Sequence, residues 1–319
     1  PTPQGGRLRD AGRPVLIHLV NFALSGPHAG LQEGNGILTR VAFIPPGQHA
    51  RSINGKLHFD HSDAGIEAGA QQVARTVSQL KCRIGMFDVE HYNSVNVPSW
   101  VGYNPGRDGG LAARYDATAR EPLRKEAARY HTRLVGRVRQ LMASQGAEIG
   151  EYNIPRHINW YHRNDSGVKS RVSNTEASDL GELLPILSFT GPQAQLLVDQ
   201  RMCDEYARGA ISDDMLIQWH AESVRVRRQA LGNRAKIIPT IWPRLFGLGG
   251  ARMPNGSSAL RPGFMYRLCH AMLDAGAQGF VCWNPSSDRN LSAGDQQAMS
   301  RSWTEVVRAV RERGGAAVS

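Results

Sequence analysis

Residues 82–93 read Cys82-Arg83-Ile84-Gly85-Met86-Phe87-Asp88-Val89-Glu90-His91-Tyr92-Asn93. An apolar run of strand length ends in two carboxylates one residue apart. In an extended chain, residues i and i+2 share a face, roughly 6.5–7 Å apart. Asp88 and Glu90 are therefore expected to face one space, with Val89 turned away. Two carboxylates in one cleft repel, which raises the proton affinity of one of them. The result is a proton donor beside an anion, the pair that breaking a glycosidic bond requires. An isolated Asp-x-Glu also fits a solvated strand end or an arginine partner, so the rest of the chain has to decide.

Working outward, strand and helix patterns alternate. Apolar runs at Pro14–Phe22, Arg40–Ile44, Glu148–Ile154, Leu183–Phe189, Lys236–Trp242 and Gly279–Trp283 read as strands. Residues 66–80, 119–145, 193–208, 212–230, 262–275 and 294–313 have helical spacing of apolar positions. Residues 24–38, 47–62, 93–116 and 247–257 read as loops. The strands are near-continuous apolar runs, as expected when both faces are covered. The fold class is therefore α/β, a (β/α) barrel of the TIM type, distorted, with about seven strands. A doubly wound open sheet is the alternative, but no G-x-G-x-x-G or G-x-x-x-x-G-K-[ST] follows a strand. Residues 1–13 read as a flexible leader and 14–319 as one catalytic barrel domain.

The chain has 319 residues and a formal net charge of +10, with 41% hydrophobic and 21% charged residues. That composition is globular, and no stretch reaches the roughly 20 apolar residues of a membrane span. The basic residues are scattered over helical segments, without zinc-finger spacing or an RNP-like motif, so no nucleic-acid partner is expected. The surface charge would favour an anionic polymer. Cys82, Cys203, Cys269 and Cys282 form no C-x-x-C pair and are not expected to be a disulfide framework, and Cys82 and Cys282, beside apolar strands, are expected to be small core residues. No cofactor is expected. The first residue is Pro1 rather than Met, from which a secreted or extracytoplasmic location is expected. Nothing in the sequence bears on oligomeric state.

In a barrel of this kind the active site lies at the C-terminal strand ends. Asn21, Asp88, Glu90, Glu151, Tyr152, Asn153, Trp242, Arg244, Trp283 and Asn284 all fall there. Tyr92, just past the carboxylate pair, is a further candidate for contacting substrate or orienting Glu90. The flat rings of Trp and Tyr suit stacking on the C–H faces of pyranose sugars.

Five segments, in order, resemble the hyaluronidase family of glycoside hydrolases. Phe87-Asp88-Val89-Glu90-His91-Tyr92 is similar to the family's D-W-E-x-W strand, and Gly150-Glu151-Tyr152-Asn153-Ile154-Pro155 to its G-x-Y-x-F-P strand. Leu184-Pro185-Ile186-Leu187-Ser188-Phe189 is similar to Y-P-S-x-Y, Ile237-Ile238-Pro239 to V-x-P-Y, and Gly276 to Trp283 to G-A-x-G-V-V-x-W. The resemblance implies a retaining mechanism in which the substrate's own N-acetyl oxygen is the nucleophile. It implies Glu90 as general acid and then base, and Asp88 as the group that polarises the acetamido. It further implies Tyr152 as a hydrogen-bond donor to that group and Trp283 as a wall of the sugar subsite. The chain departs from the pattern at Val89, where the family has tryptophan, and at Phe189, where it has tyrosine. The chitinase family shares the D-x-E ending, but its longer D-x-x-D-x-D-x-E is absent because Lys81-Cys82-Arg83-Ile84 stands there.

The reading is an endo-acting hydrolase of an N-acetylhexosamine-containing polysaccharide. Two other readings are a glycosidase with a protein carboxylate nucleophile and a non-catalytic carbohydrate-binding barrel. A metal-dependent hydrolase built on His58, Asp60, His61 and Asp88 is a further one.

Overall fold

The computed structural model describes residues 8, 12–34, 36–49, 51–53, 56–58, 60–88, 120–152, 181–247, 251–284, 288 and 290–318. Among them the strands are β1 (Val15–Leu19), β2 (Leu38–Ile44), β3 (Arg51–Ile53), β4 (Lys56–His58), β5 (Ile84–Asp88) and β6 (Glu148–Tyr152). They continue with β7 (Phe189–Gly191), β8 (Leu196–Val198), β9 (Lys236–Ile237), β10 (Thr240–Ile241), β11 (Leu245–Gly247) and β12 (Gly279–Cys282). The α-helices are α1 (Ala29–Gln32), α2 (Asp63–Gln79), α3 (Arg120–Leu141), α4 (Gln200–Ala207), α5 (Asp213–Leu231), α6 (Phe264–Asp274) and α7 (Ala293–Glu312).

Eight strands form one sheet in the order β10-β12-β1-β2-β5-β6-β7-β9, with every neighbour parallel. The two edges are consecutive in sequence, separated only by Ile238 and Pro239. The Ile238 N–H donates to the Thr190 carbonyl on one side, while the Pro239 carbonyl accepts from Val281 N–H on the other. The segment 236–241 is thus a single kinked stave bonded on both sides, and the sheet curls shut on seven staves. Proline has no N–H to give to a ladder, which is why the stave divides at Pro239.

Alternation along the strands sorts the core into two layers. Val15, Ile17 and Leu19 of β1, Val41 and Phe43 of β2, Ile84 and Met86 of β5, Phe189 and Val281 fill the barrel interior. Leu16, Ala42, Ile44, Phe87, Ile149, Phe280 and Cys282 face the surrounding helices. Both faces are largely covered, so the strands read as near-continuous apolar runs. Gly279 (φ +139°) lets β12 approach β1 closely, since a Cβ there would sit 2.1 Å from the Val15 carbonyl oxygen. The helices start where side chains can cap them. Ser62, Asp199, Ser212 and Ser292 each accept a backbone N–H three residues on.

Some expectations shift. The run Leu183–Phe189 is not a strand. Pro185 sits in a 3₁₀ turn over Leu184–Ile186, and the stave is Phe189–Gly191. Residues 196–198 form β8 against β11, and the helix expected from 193 begins at Gln200. The loop expected over 47–62 carries the β3–β4 hairpin. Leu8 is the one described residue before Gly12. It is fully buried in the barrel interior, and its N–H donates to Glu148 Oε2 at 2.6 Å. Val318 enters the same cluster from the other terminus, its N–H donating to Thr39 Oγ1. All four cysteines are buried free thiols, Cys82 and Cys282 in the core as their sequence setting suggests.

Candidate active site

β5 and β6 are adjacent and in parallel register, with Asp88 opposite Tyr152 at their C-terminal ends. Because Ile84 and Met86 point into the barrel, the alternation places Asp88 on the same inward face. Asp88 is half-buried, whereas Tyr152 is only 2% exposed. Glu90, Tyr92 and Asn153, together with Val89, lie outside the described residues.

The Tyr152 ring faces Trp283 from the far side of the barrel mouth. Their centroids are 5.9 Å apart and the planes only 11° from parallel. Phe22 and Phe43 pack on Trp283 at 5.2 and 5.4 Å, the latter edge-on. Four aromatic rings from β1, β2, β6 and β12 or their C-terminal extensions thus roof the interior beside Asp88. Offset and edge-to-face aromatic contacts of this kind fix ring orientation as well as burying area. Two asparagines hold the rim. Asn21 Oδ1 accepts the Phe43 N–H at 2.9 Å, and Asn284 Nδ2 donates to the Ala23 carbonyl at 3.2 Å.

Glu151 stands apart from this group, as a correction to the expected site. As the neighbour of Tyr152 on a strand it must take the opposite face, and it is fully buried between β6 and α3. Its Oε1 lies 3.0 Å from His131 Nδ1. Burial pushes the Glu151 carboxyl up to about 8 and holds His131 well below the usual imidazole range. Both directions disfavour charge, so the pair is a neutral hydrogen bond at neutral pH.

Trp242 and Arg244 form a second group. Trp242 is buried, and its Nε1–H donates to Asp288 Oδ2 at 2.8 Å. The Arg244 guanidinium lies 3.8 Å over the same indole and donates from Nε to Asp288 Oδ1 at 3.2 Å. Behind them, Trp303 Nε1–H donates to His28 Nδ1 at 2.9 Å, which leaves the His28 proton on Nε2, 3.4 Å from Asp288 Oδ2. One buried carboxylate therefore ties the β10 extension to the two ends of the chain. Asp288 and His131 are the residues that reading the sequence missed. Their partners lie 44 and 20 positions away, and no local motif marks either.

Among the described residues no group of three His, Cys, Asp or Glu side chains is placed to hold a metal ion. No helix among them is long and apolar enough to cross a membrane.

No protein-family model and no curated protein matches the chain. Among solved structures, bee venom hyaluronidase superposes with a TM-score of 0.56 at 16% identity, covering 94% of this chain and 99% of that one. The fold is a hyaluronidase-like barrel. A broad-specificity endoglucanase from an uncultured bacterium matches with a TM-score of 0.47 at 12% identity, over 84% of this chain and 71% of its own.

Proposed function

We propose that the protein is a retaining glycoside hydrolase that cleaves N-acetylhexosamine-containing polysaccharides, with Glu90 as acid and base and Asp88 as the stabiliser of the substrate's acetamido group. The observation that carries this reading is the juxtaposition of Asp88 and Tyr152 on adjacent stave ends, inside a mouth walled by Trp283. The likeness of the barrel to that of bee venom hyaluronidase supports it.

The chemistry follows from what each group can do. Attack by the acetamido oxygen on the anomeric carbon puts positive charge on the acetamido, and an ionised Asp88 beside it offsets that charge. The Tyr152 hydroxyl can hydrogen-bond the same group. A carboxylic acid two residues along the chain from Asp88 has its proton affinity raised by that anion, as a general acid acting near neutral pH requires. Protonation of the leaving oxygen and later activation of water then fall to one residue in turn, and no protein nucleophile is needed. The partly exposed Trp283, held by the buried rings behind it, would bind the apolar face of the sugar.

The test is digestion of paired polymers, N-acetylated and chemically deacetylated, with reducing ends counted and products identified. Turnover confined to the acetylated members supports the assisted mechanism. Equal turnover of both, with a glycosyl-enzyme adduct found by mass, assigns the chain to a glycosidase with a protein nucleophile. Binding of polymers without turnover assigns it to a carbohydrate-binding barrel.

A further inference from the structure

A cleft of about 700 Å³ opens beyond the barrel mouth, lined by β11, the 251–259 loop and the first residues of α7. It belongs to the same end of the barrel. The Trp283 N–H donates to the Ile241 carbonyl, so β10 and β12 finish side by side. Arg244, three residues past one, and Asn290, eight past Cys282, both line the cleft. The volume is that of an ordinary small-ligand pocket.

The lining has an apolar floor and polar walls. Val198, Leu245, Phe246 and Met253 supply the floor, with Phe246 itself packed on the Trp242 ring at 5.0 Å. Asn255, Ser257, Ser258, Asn290 and Ser292 supply amides and hydroxyls. Several of these are already engaged. Asp295 accepts from Ser257 Oγ at 2.5 Å and from Ser292 Oγ at 3.0 Å. The Ser258 hydroxyl differs, because it is buried in the wall and has no hydrogen-bond partner among the described residues. That oxygen is closed to solvent, so the side-chain groups a ligand in the cleft can reach include the exposed amides of Asn255 and Asn290.

The charges argue about what enters. Arg244 and Arg252 line the cleft, as does Asp295, while Asp288 stands directly behind Arg244. Two cations face two anions, and Arg244 is already committed to Asp288 and to the Trp242 face. Such a site has no field to recruit a carboxylate or phosphate. An apolar, partly aromatic floor under neutral donors and acceptors instead matches a pyranose ring, which presents C–H groups on its face and hydroxyls at its edge.

We propose that this cleft is a second carbohydrate site, which holds an uncharged sugar unit of the same chain whose scissile bond lies in the barrel mouth. The proposal rests on the glycan reading of the mouth. It makes the enzyme one that prefers long chains and cuts within them.

The test is calorimetric binding of the disaccharide and hexasaccharide of β1,4-linked N-acetylglucosamine to the Glu90→Gln protein, which prevents turnover. Two variants are added in that background, Ala251→Trp to fill the cleft and Asn290→Ala to strip an exposed amide from its lining. The second keeps the experiment decisive should the first fail to fold. The expected result is that each variant weakens the hexasaccharide about tenfold and leaves the disaccharide within twofold. Hexasaccharide affinity within twofold of the parent overturns the cleft site and leaves the mouth standing. A cleft contribution larger for a hyaluronan hexasaccharide than for the neutral one overturns its assignment to an uncharged sugar. Binding of neither sugar by the parent overturns the glycan reading, and the cleft proposal with it.

Discussion

Asp88 and Tyr152 are register partners at the ends of two adjacent parallel staves, and the Tyr152 ring lies within 11° of parallel to Trp283 across the mouth. On the proposed mechanism the sugar sits beside this pair. The same proposal gives one tyrosine two parts, its ring in the wall and its hydroxyl in the chemistry.

Tyr152→Phe keeps the ring and removes the hydroxyl. On the proposed mechanism kcat falls about 100-fold, as for loss of one donor to developing charge, while KM changes little. Steady-state kinetics on an N-acetylated polymer reads the split. A rise in KM with kcat unchanged would make the hydroxyl a binding group only.

Glu151→Gln tests the outward-facing pair. The Glu151 carboxyl holds its proton up to about pH 8 in the folded protein, against 4.5 ordinarily. Folding therefore takes up a proton in that window, and this contribution to stability is lost as pH rises from 4.5 through 8. His131, held below 6.5, acts in the opposite sense and loses its contribution as pH falls below that value. The glutamine variant should escape the alkaline decline and gain on the order of 3 kcal/mol over wild type at pH 8 relative to pH 5. Urea unfolding at the two pH values measures the difference. A constant offset at both would contradict it.

Asp288→Ala leaves the Arg244 guanidinium, whose side chain is 15% exposed, without its counter-charge, and strips the acceptor from Trp242. Breaking a buried pair from one side costs about 3–5 kcal/mol. The double variant Asp288→Ala with Arg244→Leu should cost less, because it removes both charges instead of stranding one. Chemical denaturation of both variants gives the order, and a reversed order would refute the account of this network.

Gly150 faces the Phe189 ring, and a Cβ at position 150 would lie 2.3 Å from it. Gly150→Ala should cost about 1–3 kcal/mol through overpacking. Adding Phe189→Leu should return part of that loss in a double-mutant cycle. Additive costs would place the clash elsewhere.

The alternation of strands and helices was legible because two-sided burial writes continuous apolar runs. The closure at Pro239 was less so, since each half of that stave is only two residues long. Leu183–Phe189 misled because its apolar residues cover a 3₁₀ turn rather than a strand. At the site, alternation was enough to put Asp88 inward. The same rule excludes Glu151 from the face of Tyr152, yet a motif that spans both positions obscures it. Asp288 and Trp303 meet His28 only through the fold, at separations no local pattern encodes.

The central claim is that Asp88 and Glu90 act together on an N-acetylated sugar. Its most direct test is the initial rate of reducing-end release from an N-acetylated polymer by wild type, Asp88→Asn and Glu90→Gln, at matched concentration of folded protein. The account predicts that each substitution lowers the rate at least 1,000-fold, on the order of the loss from removing a principal electrostatic or acid–base group. Wild-type rates in either variant would contradict it.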